Sequence, residues 1–132
     1  MIIAVDFDGT VHTGVYPAIG AEAPYAGEMM RKLRADGHYL IINTCRTGDM
    51  LVEAINWLLR HDIPFDRVND NCPLGVEQYG SNSRKIHAHV YVDDRQVGGL
   101  PTWPEIYEWI TAKQQGYDLR KALEKGKLVV TS

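Results

Sequence analysis

The chain has 132 residues, of which 45% are hydrophobic, and this is enough to fill the core of one domain. Its net charge of −3, with no run of Lys or Arg longer than two residues, argues against a nucleic-acid-binding patch. The two cysteines are typical of a reducing compartment, and the first charged residue comes too early for a signal peptide or a membrane anchor. We therefore predict one cytoplasmic domain over residues 1–132 with no membrane partner, comprising a core at 1–115 and a tail at 116–132.

Apolar runs alternate with amphipathic helical patterns along the chain, and no internal repeat interrupts them. This alternation is typical of parallel βαβ units, so we predict an α/β fold with a mainly parallel central sheet. The predicted strands are Ile2–Val5, Tyr39–Asn43, Phe65–Val68, Ala88–Val92 and a last short one at Leu128–Val130. The predicted helices are Pro24–Ala35, Asp49–His61 with Leu59 on its buried face, one that begins with a capping box at Thr102 and Glu105, and a short one at Asp118–Glu124.

Two acids follow the first predicted strand directly. Asp6 and Asp8 are separated by a single residue, and Gly9 allows the backbone to turn sharply after them. The carboxyl ends of strands are where ligands bind in open α/β sheets. Two acids at such a place can hold a hard cation, and one of them can attack phosphorus while the other moves a proton.

Further polar residues mark the other predicted strands. Thr44 follows the second strand, Asp93 and Asp94 follow the strand at 88–92, and Lys85 precedes that strand. Because parallel strand ends converge on one edge of the sheet, we expect these residues to gather around Asp6. Lys85 and a bound Mg²⁺ would supply the positive charge that a carboxylate needs in order to attack a phosphate, and the Thr44 hydroxyl would hold a phosphoryl oxygen.

This series of residues resembles the four motifs of the haloacid dehalogenase superfamily of phosphohydrolases. The resemblance spans about residues 2–95 and rests on the segment Asp6-Phe7-Asp8-Gly9-Thr10, then Thr44, Lys85 and the pair Asp93-Asp94. It implies a Rossmann-like, three-layer α/β/α core. It also implies Mg²⁺-dependent hydrolysis of a small phosphorylated substrate, a sugar phosphate or a nucleotide, through an aspartyl-phosphate.

The resemblance assigns a role to each of the catalytic candidates. Asp6 would attack phosphorus, and Asp8 would protonate the leaving alcohol and then activate water. Thr44 would bind the phosphoryl group, and Lys85 would orient and screen the nucleophile.

The same resemblance implies a Mg²⁺ site. Asp93 and Asp94 would complete it together with Asp6 and the main-chain carbonyl of Asp8. Of the adjacent pair, we expect Asp94 to be the direct ligand and Asp93 to support it.

Two further residues are substrate-binding candidates. Arg46, two residues after Thr44, has the reach to bind a substrate phosphate or carboxylate, although an exposed loop arginine is the commoner situation. His12 comes just after the first motif and is expected near the mouth of the site. The remaining histidines lack the spacing of a zinc site.

Members of this superfamily usually carry a cap domain that selects the substrate, inserted after the first motif or between the second and third. Here the first interval leaves only the loop His12–Ala23, which we call the flap, and the second leaves the loop Asn69–Ser83. The resemblance therefore implies a member without a separate cap domain and with an open cleft. Such a cleft either accepts a bulky substrate or is closed by a neighbouring subunit of a homo-oligomer, with the tail 116–132 as a contact element.

Two other functions use similar residues. A receiver-type phosphoacceptor domain also combines an acidic pair, Thr and Lys around Mg²⁺, but its acceptor Asp ends a middle strand, where this chain has Thr44-Cys45-Arg46. A non-catalytic, partner-binding relative of the phosphohydrolases is the second alternative, and the intact acids argue against it.

Overall fold

Strands and helices alternate in this computed structural model, which describes the backbone of residues 1–124 and the side chains of residues 1–116. The strands are β1 (Ile2–Val5), β2 (Tyr39–Ile42), β3 (Arg67–Val68) and β4 (Val90–Val92). The helices are α1 (Ala26–Ala35), α2 (Gly48–Arg60), α3 (Pro73–Tyr79) and α4 (Trp103–Glu124). All the pairings in the described sheet are parallel and its order is β3-β2-β1-β4, so the predicted α/β fold is confirmed.

The two faces of the sheet differ in how much structure packs against them. Ile3 and Val5 of β1 point into the main core, to which α1, α2 and α4 contribute buried side chains that include Met30, Leu58 and Ile106. On the opposite face, Ala4 packs in a smaller cluster with Ile41 and Ile86, and Ile2 lines a cavity together with Gly75 and Val76 of α3. Helices on both faces of a parallel sheet give the Rossmann-like three-layer arrangement.

Local signals at the helix ends behave as expected. Helix α1 ends at Ala35, and Gly37 follows with a φ of +92°, a conformation that glycine adopts without strain. The capping box before α4 forms, because the Glu105 N–H donates to Thr102 Oγ1 at 3.3 Å and the Thr102 N–H donates to Glu105 Oε1 at 3.4 Å. In α2, however, Leu59 is exposed, while Ala54 and Leu58 take the buried face, so the prediction for Leu59 was wrong.

The segment Asn69–Ser83, predicted as a loop, contains α3. Pro73 occupies the first turn of this helix, and Gly80 ends it in a left-handed conformation. The sequence therefore contains both a start and a stop signal for the helix. The side chain of Asn71 organises the flanks: its amide donates to Asn82 Oδ1 at 2.8 Å and its oxygen accepts the His87 N–H at 2.7 Å. The polar composition of the segment serves this hydrogen bonding.

Helix α4 corrects a second prediction. It continues through Gly116 to Glu124, so the separate short helix expected at 118–124 is the end of α4, and the proposed division between core and tail at 115 falls inside it. One glycine in a helix interior costs only about 1 kcal/mol, which packing of the first turns offsets. The predicted strand Leu128–Val130 lies outside the described residues. Within residues 1–124, no helix combines the length and the hydrophobicity needed to cross a membrane.

Candidate active site

An open cleft of about 720 Å³ lies at the carboxyl ends of β1 and β4. The two strand ends are joined there, because the Asp6 N–H donates to the Val92 carbonyl at 2.8 Å. We call it the acidic cleft, and the residues that line it are Asp6, Asp8, Gly14, Val15, Tyr16, Cys45, Arg46, Asp93, Asp94 and Arg95. The predicted convergence of the first and fourth motifs at one edge of the sheet is therefore observed.

Three carboxylates meet in the acidic cleft. One oxygen each from Asp6, Asp93 and Asp94 lies within 4.8 Å of the other two, and we call these residues the acid cluster. Thr10 fixes two of its members, since its hydroxyl donates to Asp6 Oδ2 at 2.9 Å and accepts the Asp94 N–H at 3.1 Å. Converging carboxylate oxygens are the donors that a hard cation such as Mg²⁺ prefers, so the residues present fit that ion. Both Asp93 and Asp94 reach the cluster, and the expected preference for Asp94 stays a prediction.

Gly9 makes this approach of the carboxylates feasible. Its φ is +78°, and a Cβ atom placed on it would lie 2.3 Å from Asp94 Oδ2. Any other residue would strain the backbone and push the Asp94 carboxylate away from Asp6. The glycine of the first motif is thus required by the position of an acid 85 residues further along the chain.

The environment of Asp6 opposes its negative charge. Burial of the carboxyl and the neighbouring charges of Asp93 and Asp94 raise its pKa from 3.8 to about 7, against the lowering effect of the Thr10 hydrogen bond. A cation at the acid cluster would reverse this balance, because it would favour the charged form. Near neutral pH the metal-free site therefore favours the protonated form of Asp6 more than water does, and a cation would favour the charged form.

This raised pKa predicts how the stability of the metal-free protein depends on pH. Because the pKa of Asp6 is higher in the folded than in the unfolded chain, its contribution is fully present below about pH 4 and is lost as pH rises through about 7. We expect the melting temperature in EDTA to fall between about pH 5 and about pH 8, and millimolar Mg²⁺ to restore it at the upper end. Asp6→Asn, which has no titrating group there, should show a flatter profile. An equally steep decline in that variant would contradict the assignment to Asp6.

Asp8 has a contrasting environment. Arg46 holds its carboxylate with two hydrogen bonds, from Nε to Oδ2 at 2.9 Å and from Nη2 to Oδ1 at 2.7 Å. His12 lies 2.8 Å from Oδ1 through Nε2. Burial alone would raise the pKa of Asp8, but the hydrogen bonds from Arg46 and His12 and the charge of Arg46 outweigh it and lower this pKa. One acid of the first motif is thus pushed toward its neutral form and the other toward its charged form.

The backbone determines which nitrogen of His12 carries the proton. Nδ1 accepts the N–H groups of Gly14 at 3.0 Å and Gly20 at 3.2 Å, so the proton of the neutral ring lies on Nε2, which donates to Asp8. His12 is fully buried and does not line the acidic cleft, so its predicted place at the mouth of the site was wrong. It connects the flap to Asp8 instead.

Arg46 is also buried, contrary to the expectation of an exposed loop arginine. Its guanidinium carbon lies 5.3 Å from the centre of the Phe7 ring and 5.0 Å from the centre of the Tyr16 ring. Nη2 donates to the Pro17 carbonyl at 3.1 Å, and Nη1 donates to the Met50 carbonyl at 3.3 Å. Arg46 therefore joins the flap and α2 to Asp8.

The remaining predicted residues lie less close to the acids. The Thr44 hydroxyl accepts the Arg46 N–H at 3.2 Å, and the Thr44 N–H donates to Asn69 Oδ1 at 2.8 Å, while its neighbour Cys45 lines the acidic cleft. Lys85 is exposed, and its amine lies 5.6 Å from the centre of the Tyr91 ring. Lys85 is not among the described residues that line the acidic cleft, so the structure does not bring it together with the acid cluster.

Sequence reasoning missed five residues that line the acidic cleft: Gly14, Val15, Tyr16, Cys45 and Arg95. Tyr16, Cys45 and Arg95 each follow a predicted motif by a short interval, and that proximity was the available signal. No pattern in the flap distinguishes an aromatic side chain that faces the site from one that covers the core. Phe7, which precedes the flap and stands between the two acids in the sequence, is fully buried in the main core.

Comparison with known proteins identifies a similar solved structure. No family model and no curated protein matches the chain. The chain is similar to a solved structure from Bacteroides thetaiotaomicron, described as that of a conserved protein coded by a locus of this organism. The two are 43% identical, the match covers 86% of this chain and 91% of the other, and the TM-score is 0.78. At this identity and coverage, the chain belongs to the same family as the conserved Bacteroides protein.

Proposed function

We propose that the protein is a Mg²⁺-dependent phosphatase of the haloacid dehalogenase type. Its substrate would be a small phosphomonoester, a sugar phosphate or a nucleotide, and its intermediate an aspartyl-phosphate. The observation that carries the proposal is the contrast between the two acids of the first motif. Asp6 lies in the acid cluster, and Asp8 lies beside it in a separate, positively charged environment. A nucleophile next to a cation site and a separately held proton carrier are what phosphoryl transfer to a carboxylate requires.

The acid cluster would hold the cation. A Mg²⁺ ion bound by Asp6, Asp93 and Asp94 would offset the repulsion between a phosphate dianion and the attacking carboxylate. Without a cation, the raised pKa of Asp6 leaves much of it protonated and non-nucleophilic near neutral pH. The proposal therefore requires strict dependence on a divalent cation.

The chain's own groups account for each bond in the reaction. An oxygen of Asp6 forms a bond to phosphorus, the bond from phosphorus to the leaving oxygen breaks, and that oxygen takes a proton from Asp8. Water then forms a bond to phosphorus, its proton passes to Asp8, and the bond from phosphorus to Asp6 breaks. This regenerates both carboxyl groups in their original protonation states.

The geometry of Asp8 indicates which of its atoms moves the proton. Oδ1 accepts from both Arg46 and His12, whereas Oδ2 accepts from Arg46 alone. A carboxylate offers about two acceptor positions per oxygen, so a position on Oδ2 remains for the transferred proton. The lowered pKa keeps Asp8 charged in the free protein. The negative charge of a bound phosphate would oppose that charge, so Asp8 would take up from solvent the proton that it then gives to the leaving oxygen.

Thr44 and Lys85 keep their proposed roles in binding phosphate, with different support. The Thr44 hydroxyl already accepts a hydrogen bond, so its proton is oriented away from Arg46 and is available for a phosphoryl oxygen. Lys85 precedes β4 in an exposed segment, and its role requires its long side chain to turn from Tyr91 toward Asp6. Among cleft residues, Arg95 is an additional cation for the substrate. The free thiols of Cys45 and Cys72 agree with our proposal of a cytoplasmic enzyme.

Cation dependence tests the proposed function. We expect phosphate release from a panel of phosphomonoesters with Mg²⁺, and at least a 100-fold slower release in excess EDTA that added Mg²⁺ restores. The measurement is inorganic phosphate released per unit time from the full-length chain, with Ca²⁺ as a comparison ion of larger radius. Turnover that is unaffected by EDTA, or absent from the whole panel with Mg²⁺, would overturn the proposal.

A further inference from the structure

The aromatic ring of Tyr16 is held against Arg46 and remains exposed at the acidic cleft. The Arg46 guanidinium lies over the ring, at 5.0 Å from its centre. The side chain is nevertheless 56% exposed and lines the cleft, so part of the ring is accessible to a molecule in the cleft. An aromatic face held in this way is a surface on which a flat ring can stack.

The position of Tyr16 is fixed by contacts on both sides of it in the chain. His12 Nδ1 accepts the N–H groups of Gly14 and Gly20, which draws the two ends of the flap tip together. Those glycines are in such close contact that a Cβ on Gly14 would lie 2.4 Å from the Gly20 nitrogen. Arg46 holds the Pro17 carbonyl at 3.1 Å directly after Tyr16. The ring is thus presented by a closed loop, which lowers the entropy that a stacked ligand must remove.

The volume of the acidic cleft is large enough for a substrate larger than a simple sugar phosphate. Its volume of about 720 Å³ lies within the range of pockets that bind ligands the size of a drug molecule. Phosphate would occupy the end near Asp6, and Arg95, which forms no ion pair among the described residues, adds a positive charge there. The exposed side chain of Val15 extends the apolar surface beside Tyr16.

We propose that the acidic cleft selects phosphomonoesters whose leaving group carries a flat aromatic or heteroaromatic ring, as in a nucleoside monophosphate, and that Tyr16 stacks on this ring. The inference rests on the proposed function and narrows its substrate class, since it favours nucleotides over plain sugar phosphates. Tyr16 is the residue that determines specificity, and the acids carry the chemistry unchanged for either substrate.

The test compares two substrates that share a phosphorylated ribose, of which only one carries an aromatic base. AMP and ribose 5-phosphate share the phosphorylated sugar, so their ratio of kcat/KM values isolates the contribution of the base. We expect the wild type to favour AMP, Tyr16→Ala to reduce that preference about tenfold, and Tyr16→Phe to retain it. Tyr79→Ala, at an exposed tyrosine of α3 outside the acidic cleft, is the matched control and should leave the ratio unchanged.

Binding measurements separate failure of this inference from failure of the proposed function. Dissociation constants for AMP and ribose 5-phosphate, measured by calorimetry with Mg²⁺ on the Asp6→Asn variant, with and without Tyr16→Ala, report recognition of the base without turnover. Equal kcat/KM values for the two substrates, or a preference that survives Tyr16→Ala, would overturn the ring site while the phosphatase stands. A Tyr16-dependent preference in binding without phosphate release would overturn the phosphatase and retain the ring site. Absence of binding to both compounds would overturn the ring site, and phosphate release from the panel would then decide on the phosphatase.

Discussion

Replacing Asp6 by Asn is expected to reduce phosphate release by a factor on the order of 10⁴ or more, because the amide cannot form the bond to phosphorus. The substitution preserves the size of the side chain and removes a carboxyl whose charge the site disfavours, since burial and its acidic neighbours raise the pKa of Asp6 to about 7. We therefore expect the metal-free variant to be at least as stable as the wild type at neutral pH. Loss of activity with retained stability separates a role of Asp6 in the reaction from a role in folding.

The measurement is the rate of phosphate release with saturating Mg²⁺, together with a thermal melt of the same sample. Asp49→Asn, at an exposed acid in the first turn of α2, is the matched control and should keep full activity. With an aryl phosphate, whose leaving group needs no proton, Asp8→Asn should leave the attack by Asp6 in place but slow the second step, so that intact-mass measurement of the quenched variant shows a phosphorylated chain. Turnover by Asp6→Asn above about 1% of the wild-type rate would rule out the aspartyl-phosphate mechanism.

Removal of the Arg46 side chain should destabilise the protein by about 3 kcal/mol, since breaking a buried ion pair leaves an uncompensated charge. The loss includes both hydrogen bonds to Asp8, those to the Pro17 and Met50 carbonyls, and the packing between Phe7 and Tyr16. Arg46→Lys should recover only part of it, because one ammonium cannot bond both oxygens of Asp8 in parallel. Activity should fall on the order of 100-fold in both variants, because Asp8 loses its orientation.

Urea unfolding of the variants measures this effect, and Arg60→Ala, at an exposed arginine of α2, provides the comparison. A double-mutant cycle with Asp8→Ala identifies the pair itself: the double variant should be less destabilised than the sum of the two single variants. Additive effects would show that Arg46 stabilises the fold through its other contacts and that the pair contributes little.

The features that could be predicted from the sequence depend on neighbours in the chain. The acids of the first motif and the pair Asp93-Asp94 were found because each follows a short apolar strand directly. The fold class followed from the same alternation. The sequence also contained the start and end signals of α3, at Pro73 and Gly80, but the polar composition of the segment was given more weight than those signals.

The features that could not be predicted depend on contacts between residues that are far apart in the sequence. Arg46 meets Asp8 across 38 positions of sequence, and only the folded sheet brings the end of β2 next to the end of β1. The role of His12 follows from two backbone N–H groups of the flap, which no residue type in the sequence indicates. Lys85 shows the opposite case. It stands at the expected place in the order of the motifs, but in the folded chain its amine lies near the Tyr91 ring.

The position of β1 in the middle of the sheet sets the order in which parts of the site would be lost on partial unfolding. β1 is paired on both sides, whereas β4 has three residues and one partner in the described sheet. Short edge strands open locally at a lower free energy than paired central strands. Opening of β4 would release Asp93 and Asp94 while Asp6 stays in place. The proposed nucleophile would thus lie in the part of the sheet expected to exchange its amide hydrogens last, and two of the proposed cation ligands would follow a strand expected to open at a lower free energy.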